Sequence, residues 1–186
     1  LVVAPAQKRS RSDHKGERVK FRLLQARTTL AEINMDYQAI TTFRIVGNAA
    51  RVYSGKNALD NLPAEVKRQR ARRAIVLCGR SVSQKTNLIT RIKALLGDSF
   101  AGLYDKVGKD TPLEDILAAR DLARECGADI IIAVGGGSVL QGGRVLAILL
   151  AEKGAPEDLC TQYPESGSAI SPKLLEKKLP IINVLT

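Results

Sequence analysis

Residues 129–144 read DIIIAVGGGSVLQGGR. Ile130, Ile131, Ile132, Ala133 and Val134 form a short apolar run rich in β-branched side chains, the pattern of a strand buried on both faces. Such a strand belongs in a parallel sheet with helices above and below it. The run stops in Gly135, Gly136 and Gly137, which have no Cβ and so allow positive φ and a close approach of a dinucleotide pyrophosphate to the main chain. Ser138 is placed to cap the helix that follows. The amino end of that helix favours an anion by roughly 0.3–2 kcal/mol before direct hydrogen bonds are counted. The same residues also describe a tight turn with no ligand.

Strand and helix signals alternate on both sides of this turn, as in a doubly wound α/β sheet. Phe43–Val46 and Arg51–Tyr53 read as short strands around the turn residues Gly47 and Asn48, and 56–69 as a helix interrupted early by Pro63. Ala74–Cys78 is a second buried strand, followed by Gly79, Arg80 and Ser81 as a loop and by a helix over Gln84–Leu96 with Leu88, Ile92, Leu95 and Leu96 on one face. Phe100–Tyr104 reads as a strand, and Pro112–Cys126 as a helix with Asp110, Glu114 and Asp115 complementing its dipole. The helix after Ser138 extends to about Glu152. Gly142 and Gly143 weaken it and serve either close packing or close ligand approach. Pro156–Pro172 reads as a mobile surface loop with one helical turn, and Pro180–Leu185 as a last strand.

The succession AIVLCG (74–79), ECGAD (125–129), GGGS (135–138) and VLT (184–186) resembles the iron-containing alcohol dehydrogenase family, from about Phe43 to Thr186. That family carries GGGSxxDxxK at the glycine turn. Gly135, Gly136, Gly137 and Ser138 match it, while Gln141 stands at its Asp and Arg144 at its Lys. Thr186 matches the first Thr of the family's PTTxGTGSE segment, with Leu185 in place of its Pro.

The resemblance implies a Rossmann-like domain, similar to the amino-terminal domain of dehydroquinate synthase, which binds NAD or NADP and passes hydride between nicotinamide and an alcohol, aldehyde or keto substrate. Gly79 stands where the family often has an Asp for the adenosine ribose. Its loss, with Arg80 and Ser81 beside it, puts NADP on at least an equal footing with NAD. The resemblance further implies a helical domain beyond residue 186 that carries a divalent metal, iron or zinc, with this chain an amino-terminal part, inactive by itself. No catalytic or metal-binding residue is assigned within the chain. The complete enzyme is expected to be a homo-oligomer. A dehydroquinate synthase or polyol dehydrogenase type of metal enzyme, and a non-catalytic basic nucleic-acid-binding module, stand as alternatives.

The chain has 186 residues, 45% of them apolar, enough for one domain with a real core. Aromatic residues make up 4% and Trp is absent, which argues against a stacking platform for single-stranded nucleic acid. Val145–Ala151, the longest late apolar run, falls far short of the roughly 20 residues that span a bilayer. Cys78, Cys126 and Cys160 are too scattered for a disulfide framework or a zinc site and read as reduced, mostly buried thiols of a cytoplasmic protein. Of the net charge of +10, half comes from residues 1–34, which are expected to be a basic, disordered tail or a non-native extension ahead of a cofactor-binding domain over 35–186. His14 in that tail is a poor general base. The cluster Lys67, Arg68, Arg70, Arg72 and Arg73 reads as a solvated helix end, with a nucleic-acid patch as the alternative.

Overall fold

The strands read from the sequence as doubly buried are so: every residue of Ala74–Cys78 and of Ile130–Gly135 is buried. The computed structural model describes residues 2–3, 50–165 and 167–186. Its elements in chain order are β1 (Val2–Val3), β2 (Arg51–Val52), α1 (Leu62–Arg68), β3 (Ala74–Cys78), α2 (Arg80–Lys85), α3 (Leu88–Leu96), β4 (Phe100–Tyr104), α4 (Leu113–Glu125), β5 (Ile130–Gly135), α5 (Gly137–Ala151) and β6 (Ile181–Leu185). The sheet order is β2-β1-β6-β5-β3-β4. β6, β5, β3 and β4 are parallel, while β1 runs antiparallel to both β6 and β2. The expected tail over 1–34 meets the described structure only at Val2–Val3. The rest of it, with His14, the strand at Phe43–Val46 and the turn at Gly47 and Asn48, lies outside the described residues.

Side chains of successive strand residues point to opposite faces, so β3 and β5 each feed two cores. Val76, Cys78, Ile130 and Ile132 pack with Leu62 of α1 and Ile92 of α3. Ile75, Leu77, Ile131 and Ala133 pack with Ile116 of α4 and Leu146 of α5 on the other side. Each fully buried Ile or Leu contributes about 1.5–3 kcal/mol relative to exposure, which makes the two-sided cover the main source of stability. On α5, a Cβ added to Gly142 would lie 2.9 Å from Ile116 Cδ1, and one added to Gly143 would lie 3.1 Å from the Cβ of Ala133. The paired glycines therefore serve close packing, letting α5 sit down onto β5 and α4.

Several local expectations shift. The helix expected over Gln84–Leu96 is two helices, α2 and α3, and Arg80 and Ser81 lie in the first turn of α2, not in a loop. The break is at Thr86, whose hydroxyl donates to the Val82 carbonyl at 2.7 Å and accepts the Leu88 N–H at 3.2 Å, so the side chain competes with the helical ladder. The buried face of α3 is Ile89, Ile92 and Leu96, with Leu88 and Leu95 half-buried. Pro63 does not interrupt a helix. A short 3₁₀ turn at Ala58–Asn61 precedes α1, and Pro63 sits in the first turn, where its missing N–H has no helical acceptor to lose. Within the 156–172 loop, Gln162 and Ile170 exchange two backbone hydrogen bonds at 2.8 and 2.9 Å. Cys160 is exposed, contrary to the expectation of mostly buried thiols, because the loop that carries it lies at the surface.

Two polar anchors tie distant segments together. Buried Glu65 of α1 accepts from Tyr53 Oη at 2.6 Å and from Arg68 Nε at 3.1 Å. Burial pushes its carboxyl up, but these hydrogen bonds and the charges of Arg68 and Arg51 outweigh that and hold it below the usual carboxylate value. The Asp129 carboxylate, just before β5, accepts the backbone N–H groups of Arg72 and Arg73 at 2.8–3.1 Å and so sets where β3 begins.

Helices α1 and α4 end in the same way. After α4, Gly127 N–H bonds Arg124 O at 3.1 Å and Ala128 N–H bonds Ala123 O at 2.9 Å, with Gly127 at φ 58°. After α1, Arg70 N–H bonds Lys67 O at 2.9 Å and Ala71 N–H bonds Val66 O at 3.2 Å, with Arg70 at φ 57°. This stop favours glycine, and a side chain held left-handed there costs on the order of 1 kcal/mol. Arg70→Gly is therefore expected to raise stability by about 1 kcal/mol, read as a higher urea midpoint at unchanged slope. A lower midpoint would mean that the Arg70 side chain contributes more than its backbone costs.

Candidate functional site

The chain leaves β3 for α2 and α3 on one face of the sheet and leaves β5 for α5 on the other, although β3 and β5 are neighbours. The carboxyl ends of these strands thus open a crevice at the point where the winding reverses, the position at which open α/β sheets bind ligands. Gly79–Ser81 stand on its β3 side and Gly135–Ser138 on its β5 side.

The three glycines divide their roles. Gly135 alone has positive φ, 156°, and a Cβ there would lie 2.8 Å from Val139 Cγ2, so the turn itself requires glycine. Gly136 caps α5 in extended geometry and Gly137 is its first residue. Both are exposed, and a Cβ at either would meet nothing within 4 Å among the described residues. Of the three glycines that allow positive φ, only Gly135 uses it; the open space at Gly136 and Gly137 lies beside the first-turn amides of Gly137, Ser138 and Val139, which have no intrahelical acceptor.

Ser138 is not the cap expected of it. It is the second helical residue, and its Oγ accepts the Asp110 N–H at 3.1 Å while its carbonyl accepts the Thr111 hydroxyl at 2.8 Å. Both contacts come from the connection between β4 and α4, residues 105–112, which crosses the crevice as a strap. Val107 N–H bonds the Cys78 carbonyl at 3.2 Å. The Asp115 carboxylate accepts Gly108 N–H at 2.9 Å and Tyr104 Oη at 3.2 Å, so Asp115 anchors the strap as well as standing in the first turn of α4. Burial, with the Asp115 charge and hydrogen bond next, pushes the Tyr104 phenol up to about 12. Asp110 and Thr111 both have left-handed backbones, φ 61° and 60°, a strained pair held by these contacts. Reading the sequence alone misses the strap. Its only signal is the punctuation by Gly108 and Pro112.

Gly79 caps α2, and a Cβ there would lie 3.1 Å from the Val107 carbonyl, so the strap accounts for part of its small size. Arg80 and Ser81 are exposed at the start of α2. Gln141 and Arg144 are exposed on α5, one turn apart and beyond the turn that meets the crevice. Thr186 is exposed just past β6, whose Leu185 pairs with Gly135. The structure thus brings Gly79, Arg80, Ser81, Gly135, Gly136, Gly137, Ser138 and Thr186 to one end of the sheet and sets Gln141 and Arg144 along the helix. Among the described residues no group of three or more His, Cys, Asp or Glu could hold a metal ion, and no helix is long and apolar enough to cross a membrane.

The chain belongs to the iron-containing alcohol dehydrogenase family, whose profile matches residues 49–186. It is 39% identical over 98 residues to maleylacetate reductase 2 of Cupriavidus pinatubonensis, covering 53% of this chain and 26% of that enzyme. It is 30% identical over 134 residues to maleylacetate reductase 1 of Rhodococcus opacus, covering 72% and 36%. The chain therefore spans less than two-fifths of either relative. The NADH-dependent butanol dehydrogenase A of Thermotoga maritima shares the fold, with a TM-score of 0.61 at 22% identity over 73% of this chain and 32% of that one.

Cys78 ends β3 directly beside Gly79, yet burial and the nearby Asp105 charge push its thiol up to about 11. At neutral pH its thiolate fraction is roughly one part in ten thousand, so it is inert despite its position. Iodoacetamide at neutral pH is expected to modify exposed Cys160 first and to leave Cys78 intact until the protein is unfolded. Peptide mass mapping over time checks this, and equal rates at the two thiols would contradict the burial of Cys78.

Proposed function

We propose that this chain is the cofactor-binding portion, over 35–186, of an alcohol dehydrogenase-like NAD(P)-dependent oxidoreductase. The observation that carries the reading is the open cradle at Gly136 and Gly137, set at the reversal point of the sheet over the free amides of a fifteen-residue helix. A dinucleotide pyrophosphate fits it, accepting N–H groups of Gly137, Ser138 and Val139 with the helix dipole behind them. Because Asp110 N–H already donates to Ser138 Oγ, the Ser138 hydroxyl hydrogen is left to donate to the phosphate. Thr186 borders the same crevice. Gln141 lacks the charge of the family's Asp, whereas Arg144 keeps the positive charge of its Lys.

When bound, the nicotinamide supplies or takes up hydride, and a divalent metal, iron or zinc, polarises the substrate oxygen; the metal ligands belong to a part of the enzyme outside these residues. The chain's own residues hold and orient the dinucleotide. Kinship with two maleylacetate reductases supports a keto substrate for the complete enzyme ahead of a simple alcohol. The complete enzyme is proposed to be a homo-oligomer.

Gly136→Asp separates binding from folding. Asp is a good helix cap and has room at this position, so stability should hold or rise, while a carboxylate in the cradle should weaken NAD(P)H binding by at least about tenfold. Calorimetric titration reads this, and undiminished affinity would sink the proposal. Arg80→Glu tests cofactor choice through the charge beside Gly79. NADPH affinity should fall by about tenfold and NADH affinity by much less. Equal losses would remove Arg80 from any role in recognising a 2′-phosphate.

A further inference from the structure

At the other end of the sheet from the crevice, a hollow of about 570 Å³ lies between α1, the segment leading into β3, and the end of α3. We propose that it is a second anion site, which binds a small organic phosphate with an apolar body. Its floor is apolar, made by Val66, Ala71 and Leu96, all buried. Its rim carries the exposed residues Lys67, Arg70 and Arg72, and Ser99 lines it as well. The volume lies in the range of small-molecule sites, about 300–1,000 Å³.

The charges at the rim are available. Arg68, next in the chain to Lys67, is committed to Glu65, and Arg73 Nε donates to the Cys126 carbonyl at 2.6 Å. By contrast, the side chains of Lys67, Arg70 and Arg72 make no salt bridge with an acid among the described residues. The Asp129 carboxylate accepts the backbone N–H groups of Arg72 and Arg73 and makes no salt bridge with a rim side chain.

Arg70 gives the second line of support. It occupies the left-handed helix stop that the same chain fills with Gly127 after α4. A guanidinium at a position where glycine is the relaxed residue points to use of the side chain, and Arg70 is one of the residues that line this hollow. Guanidinium and ammonium groups around an apolar floor match a phosphate ester, with the phosphate at the rim and the organic group on Val66 and Leu96.

Phenyl phosphate, a dianion with an apolar ring, is the probe, titrated into the ¹⁵N-labelled full chain. Saturable shifts are expected at the amides of residues 67–72 and 96–99. Arg70→Gly, which relaxes the backbone and so keeps the fold, should weaken binding by about tenfold, whereas Gly136→Asp should leave it unchanged. The proposal is overturned if these amides do not shift, if neutral phenol shifts them equally, or if the shifts vanish in Gly136→Asp and persist in Arg70→Gly. It is also overturned if an oligonucleotide binds this face with steep salt dependence while phenyl phosphate does not, which would make the rim a nucleic-acid contact.

Discussion

The structure depends on burying both faces of two adjacent strands. β3 and β5 have no polar face to give to water, so each needs helices on either side, and the chain can provide them only by leaving neighbouring strands in opposite directions. The crevice at their carboxyl ends is the geometric result of that arrangement. A sheet with one solvated face would have had no such reversal, and the glycine turn would have been an ordinary surface loop.

This constraint was legible in the sequence because it is written in consecutive residues. AIVLC and IIIAV admit few readings other than a doubly covered strand, and the glycines and Ser138 mark where the second one stops. Features fixed by contacts between distant residues were not legible. The split of one expected helix at Thr86 turns on a hydroxyl that bonds both helices, donating to the Val82 carbonyl of α2 and accepting the Leu88 N–H of α3. The strap is further out of reach, since nothing in KDTP announces that Asp110 and Thr111 take left-handed backbones. They do so because Ser138, more than twenty residues away in the chain, bonds both of them.

The glycine turn shows the same limit at finer scale. Three identical letters read alike, yet Gly135 answers to Val139 within the protein, whereas Gly136 and Gly137 face space that no atom of the described residues fills. The first is a requirement of the backbone; the other two leave room for something outside it. Gly142 and Gly143, left undecided by the sequence, fall with Gly135, because Ile116 and Ala133 occupy the space their side chains would need.

That close seating gives α5 a mechanical character. A helix socketed by two glycines against a β-branched side chain and a strand can neither slide along its axis nor roll without opening a void or striking a neighbour. Its amino end is thus a fixed bearing, moving only with the sheet as a whole. Adjustment to a ligand must come from lighter parts of the structure, and the strained connection over residues 105–112, tied to α5 through Ser138, is the part of this end of the sheet built with energy to release.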